Sequence, residues 1–91
     1  MINEQMLNHL KANNFAYEAS EIYDENEEDP RNWVSYTHRE TNVCVGLTGD
    51  GRYYIVETDD DGANKAYNKD ARSFDNMLKD IKRQEEVEKT R

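Results

Sequence analysis

Apolar residues recur every three or four positions at the start of the chain. In "INEQMLNHLKANNF", Ile2, Met6, Leu7 and Leu10 fall on one helical face. Asn13 and Asn14 follow, and asparagine tolerates the left-handed conformation in which many helices end. The spacing predicts a helix over residues 3–12. The period then changes. In "NFAYEASEIY", Phe15, Tyr17, Ala19 and Tyr23 alternate with polar or small residues, the mark of a half-buried strand. Glu21 interrupts that face, so the strand should end near Ile22. "DENEEDPRN" holds Pro30, Asn32 and acids that resist burial, and reads as a loop or an extended, solvated link.

"WVSYTHRE" is rich in aromatic and β-branched residues and predicts a strand. "TN" is a tight connection to "VCVGLT", where Val43, Val45 and Leu47 face one way and Cys44, Gly46 and Thr48 the other. Asp50-Gly51 within "GDG" is the strongest hairpin signal in the chain, and "RYYIVET" follows as the next antiparallel strand. "DDDGAN" is another turn, and the segment around Lys65–Tyr67 fits strand or loop. Ser73 suits a helix N-cap, with Asp75 in the first turn and Phe74, Met77, Leu78 and Ile81 as an apolar stripe. Residues 82–91 add only Val87 to that stripe, so that end is a solvated helix or a frayed tail.

The expected fold is α+β, in the order α-β-β-β-β-α. An antiparallel sheet of about four strands has one face covered by the N-terminal and C-terminal helices. The bare face would carry the other alternation set, including acids and tyrosines. Residues 1–91 fit a single domain, and there is no internal repeat.

Composition narrows the function more than the fold. Hydrophobic and charged residues each make up 35% of the chain, so the core must be small; six Tyr, two Phe and one Trp supply area for it. Cys44 is the only cysteine, which excludes an internal disulfide and a cysteine-only zinc cage. "MINEQMLNHLKANN" does not read as a signal peptide, and no apolar run approaches the length of a membrane span. The expected setting is a reducing cytoplasm.

The net charge of −8 is unevenly placed. Residues 1–30 carry eight acids and one base, residues 31–63 six acids and three bases, and residues 64–91 six acids and eight bases. Direct contact with nucleic-acid phosphates is disfavoured, and a basic protein partner is favoured. "YEASEIYDENEEDP" alone holds seven carboxylates and no cation: Glu18, Glu21, Asp24, Glu25, Glu27, Glu28 and Asp29.

Other chemistry is poorly supplied. Glu57, Asp59, Asp61 and Gly62 match the spacing of the first half of a calcium loop, but Glu57 stands where Asp is wanted and Asn68 where the closing Glu is wanted. That segment reads as a polar turn between strands, and no metal or other cofactor is expected. His9, His38 and Cys44 are the only imidazoles and thiol, and no spacing ties them together; a cysteine in a strand is usually a small hydrophobe. There is no phosphate-binding glycine loop, GxSxG or HExxH, so an enzyme is not expected. Tyrosines at 17, 23, 36, 53, 54 and 67 and Trp33 lack the basic field that base-stacking sheets use, so core and protein-interface roles fit them better.

The acids remain. Strands and helices both hold side chains in regular rows, and DNA phosphates also form a row of negative charge. A Lys/Arg surface built for phosphates can accept such carboxylates instead; the plain alternative is a solubilising face. With "EIYDENEED" and "ETDDDG" beside the meander "WVSYTHRETNVCVGLTGDGRYYIVET", the chain resembles the small acidic inhibitors encoded by bacteriophages. These are DNA mimics of the anti-restriction kind (Arn-like) and anti-CRISPR proteins. The resemblance spans the chain in size, charge and element order, and carries no residue roles. It implies a non-catalytic inhibitor that occupies the DNA-binding surface of a host defence nuclease or nucleoid protein, often as a dimer, in the host cytoplasm.

The resulting expectation is a protein that presents Glu18 to Asp29 as one patch and Asp59, Asp60 and Asp61 as a second. Tyr23 and Trp33 would anchor the first patch. The alternative is an immunity protein or antitoxin that neutralises a basic toxin by the same complementarity. A sheet face without cover would favour a homodimer.

Overall fold

A computed structural model describes residues 2–21, 33–58 and 64–89 of the chain. The element order is α1 (Glu4–Ala12), β1 (Phe15–Glu21), β2 (Trp33–His38), β3 (Cys44–Thr48), β4 (Tyr53–Thr58), β5 (Asn64–Ala71) and α2 (Phe74–Lys89). The fold is α+β with a helix at each end, as the sequence predicts. The sheet is an antiparallel meander in the order β1-β2-β3-β4-β5. Its fifth strand is the segment that sequence left between strand and loop; Ile55 pairs with Tyr67 and Val56 with Ala66 in register. Ladder pairing with β4 settles what local propensity did not.

Both helices begin where a side chain takes up free backbone N–H groups. Asn3 Oδ1 accepts from the amides of Gln5 and Met6 at 3.0 and 3.2 Å. Ser73 Oγ accepts from the Asn76 amide at 3.3 Å. α1 ends as Asn13 Nδ2 donates to the His9 carbonyl at 2.7 Å and Asn14 turns left-handed, with φ 68°. Helix α2 runs on to Lys89, so most of residues 82–91 are helical rather than frayed. Gln84, only 4% exposed, continues the buried stripe of Met77 and Ile81 by one turn. A polar residue there is invisible to apolar periodicity.

The core lies between the helices and one face of the sheet. Ile2 just ahead of α1, Met6 and Leu10 from α1, Met77 and Ile81 from α2, and Val45, Leu47, Tyr53 and Ile55 from the central strands belong to one buried cluster. α1 packs on β1 and α2 on β4. Burying each such side chain is worth about 1.5–3 kcal/mol. The predicted alternation in β3 holds, since Val43, Val45 and Leu47 are all buried in this cluster. β1 departs from the expected alternation. Tyr17 pairs with Tyr36, but Ala19 pairs with Ser35, because a bulge at Glu18 shifts the register. Ala19 therefore does not share the register face of Phe15 and Tyr17. Tyr17 keeps a ring contact with Tyr36 at 5.8 Å yet is 58% exposed on the sheet edge.

Two turns set the ends of the sheet. At one end, β2 stops at His38, two residues earlier than "WVSYTHRE" suggests. His38 Nδ1 accepts from the amides of Glu40 and Thr41 at 3.1 and 3.2 Å, and Asn42 is left-handed with φ 62°. A side chain that substitutes for ladder bonds ends the strand. At the other end, the Gly49–Gly51 loop places Gly51 at φ 86°, a conformation that favours glycine. Thr48 Oγ1 donates to Asp50 at 2.5 Å, Arg52 Nε lies 2.9 Å from the same carboxylate, and Arg72 lies 3.9 Å away.

Burial opposes ionisation of Asp50, but the Thr48 hydroxyl and the two guanidinium groups together outweigh it and hold its pKa below the ordinary 3.8. The sign follows from linkage. A depressed carboxyl stabilises the fold fully above 3.8, and this contribution is lost as pH falls through the folded-state value. Urea midpoints of the native chain and Asp50→Asn, taken from pH 5 downward, should therefore converge below pH 3.8. A gap independent of pH would show that the carboxylate charge is not what the hairpin uses.

Candidate functional site

Cross-strand register decides which residues share a face. Thr37, Cys44 and Val56 form one row, and Ser35, Gly46 and Tyr54 form the next; neither contributes to the buried cluster under the helices. Tyr54 crosses from β4 over β3: a Cβ on Gly46 would overlap its ring. Glycine here provides room rather than backbone freedom. Burial, with a smaller contribution from the neighbouring Cys44 thiol, pushes the Tyr54 hydroxyl up to about 12. Cys44 Sγ lies 3.1 Å from Ser35 Oγ.

Gly46→Ala should displace the Tyr54 ring and cost about 1–3 kcal/mol of stability, the usual range for overpacking. A spectrophotometric titration should show one tyrosine moving from near 12 toward the usual 10. An unaltered titration would mean that the ring does not depend on the missing side chain.

Carboxylates gather where β2 turns into β3. A recess of about 210 Å3 is lined by Glu18, Thr37, Asn42, Cys44, Gln84 and Glu88. A second, of about 200 Å3, shares Asn42 and Glu88 with it and adds Glu40, Thr41, Glu85 and Lys89. The bulge places Glu18 here, where Thr37 Oγ1 donates to its carboxylate. Lys89 is also paired with Glu86 at 3.8 Å, and exposed Arg39 lies in the turn itself. Thr58 and Asn64, which pair and bracket Asp59, Asp60 and Asp61, lie at this same end of the sheet. The opposite end holds the Asp50–Arg52–Arg72 group.

Of the residues expected to bind a partner, Glu18 is exposed at the recess and Trp33 is half-buried at the far end of β2. Glu21 pairs with Trp33 in register, so that pair and Glu18 belong to different parts of the sheet. Tyr23, Asp24, Glu25, Glu27, Glu28, Asp29, Asp59, Asp60 and Asp61 lie outside the described residues. The sequence reading passed over Glu40, Glu85 and Glu88. Glu85 and Glu88 are three apart on a helix, a signal of a shared side, but nothing local joins them to Glu40.

His38 and Cys44 do not form a pair. His38 shares a face with Phe15, its ring 5.0 Å away, whereas Cys44 sits on the other face. Among the described residues, no three His, Cys, Asp or Glu side chains are placed to hold a metal ion. Also among the described residues, no helix is long and apolar enough to cross a membrane. Comparison with known protein families, with characterised proteins and with solved structures finds no match to this chain.

Proposed function

We propose that this is a non-catalytic acidic binding protein that presents carboxylates to a basic protein surface. In this reading it acts as a DNA mimic in the bacterial cytoplasm, blocking the DNA-binding surface of a host defence nuclease or nucleoid protein. The observation that carries the reading is the convergence of Glu18, Glu40, Glu85 and Glu88 at one end of the sheet, where the strand ends flanking Asp59–Asp61 also lie. Those four come from three separate stretches of the chain, so helix and sheet geometry gather charge that repulsion would otherwise disperse. A Lys/Arg surface that neutralises rows of phosphate offers matching cations.

The test is capture from a bacterial lysate at low salt, with the bound proteins identified and then challenged with duplex DNA. Retention of DNA-binding proteins that DNA releases supports mimicry. Retention that DNA leaves untouched, or capture of no basic protein, would sink it.

A further inference from the structure

The sheet face opposite the helices has a character that charge alone does not explain. Its described residues stay outside the buried cluster, and Gln84 and Glu88 of α2 meet it in the recess at Thr37, Cys44 and Val56, yet it is not simply polar. Its floor is small, with Ser35 and Gly46 buried, and the Tyr54 ring lies across that floor. Half-buried Thr37, Cys44 and Val56 continue the surface toward Glu18, whose carboxylate Thr37 holds on the same side. Trp33 stands at the far end of the same strand. A ring fixed over a glycine is an aromatic platform with little rotamer freedom left to lose. Planar cations stack on such platforms, and guanidinium does so better than ammonium because it is flat and weakly hydrated. The net charge of −8 attracts the same class of partner over longer range.

We infer that this face docks an arginine-bearing segment of a basic protein, one guanidinium stacking on Tyr54 and another pairing with Glu18. The inference rests on the proposed function and adds the surface and the recognised side chain. It makes the carboxylates of the β2–β3 end an attracting rim, and the aromatic face the place where the contact becomes selective for arginine. Charge complementarity decides the occupant. A second copy of this chain would set Glu18 and the acidic rim against their own kind, whereas a basic segment neutralises them.

The full chain, labelled with 15N, is titrated with a capped heptapeptide of alternating arginine and glycine, and then with its lysine counterpart. Saturable shifts are expected at the amides of Thr37, Cys44, Gly46 and Val56 and at the Trp33 indole. The arginine peptide should bind about fivefold more tightly, the scale of a cation–aromatic contact at a partly exposed site. Tyr54→Leu should remove that preference while keeping the sheet's spectrum. Gly46→Ala, which displaces the ring without deleting it, should weaken the preference in parallel.

Equal affinity for the two peptides would overturn the inference. So would shifts confined to Arg39–Asn42 and α2, although the proposed function would then stand. A dimer in sedimentation whose face amides are already protected would also overturn it, in favour of a second copy. Loss of both peptide binding and lysate capture would remove the inference together with the reading beneath it.

Discussion

Tyr53→Ala should lower the unfolding free energy by about 3–5 kcal/mol, the range for truncating a large buried aromatic. Tyr53 is fully buried at the start of β4, with Leu47 beside it in register. Its hydroxyl donates to Asp80 of α2 at 2.5 Å, and Arg83 approaches the same carboxylate at 3.7 Å. Truncation opens a cavity in the layer that joins helix to sheet. It also withdraws a donor from a carboxylate that is only 16% exposed. A small domain has about 5–15 kcal/mol in total, so this one change removes a large share. Tyr53→Phe separates the two effects: it keeps the volume and should cost about 1.5–3 kcal/mol, the value of a hydrogen bond to a charged group. Urea midpoints at unchanged slope measure both. If Tyr53→Phe stays within about 0.5 kcal/mol of the native chain, in the range of neutral surface changes, the tie to Asp80 does not hold the helix.

The second large effect concerns binding. Reversing Glu40, Glu85 and Glu88 to Lys should weaken capture of a basic partner by roughly 100-fold or more at low salt, taking about 1 kcal/mol for each exposed pair lost. Stability should change little, because none of the three is buried and two enter the C-terminal part of α2, where cations suit the helix dipole. The affinity left in the variant should depend less on ionic strength, since screening acts on the pairs removed. A parallel variant, with Glu25, Glu27 and Glu28 reversed, asks which acidic set the partner uses. Loss only in that variant would move the interface to the stretch between β1 and β2. Equal loss in both would mean that the partner uses both acidic sets. Unchanged affinity in both would leave the acids as a solubilising surface.

Much of the fold was legible because periodicity reports burial directly. Met6 with Leu10, Val45 with Leu47, and Met77 with Ile81 are buried where helical or alternating spacing puts them. Asn3 and Ser73 cap helices by local bonds to amides two or three residues on. The apolar faces, the order of the early elements and the two terminal helices were therefore fixed by near neighbours in the chain.

What the chain could not state locally was decided by partners distant in sequence. β5 is a strand because β4 offers it a ladder, although "NKAYNKDA" alternates weakly. The bulge at Glu18 depends on the fit between β1 and β2, and it redirects one acid into the recess. Gln84 is buried by its place on α2 rather than by its chemistry. The site divides along the same line. Composition determined that this protein is acidic. Only the tertiary structure brought Glu40 beside Glu85 and Glu88, more than forty positions away, and laid Tyr54 over Gly46. Charge and periodicity are sums over residues and survive in the linear chain. Proximity between remote residues exists only after the sheet and helices have closed on their shared core.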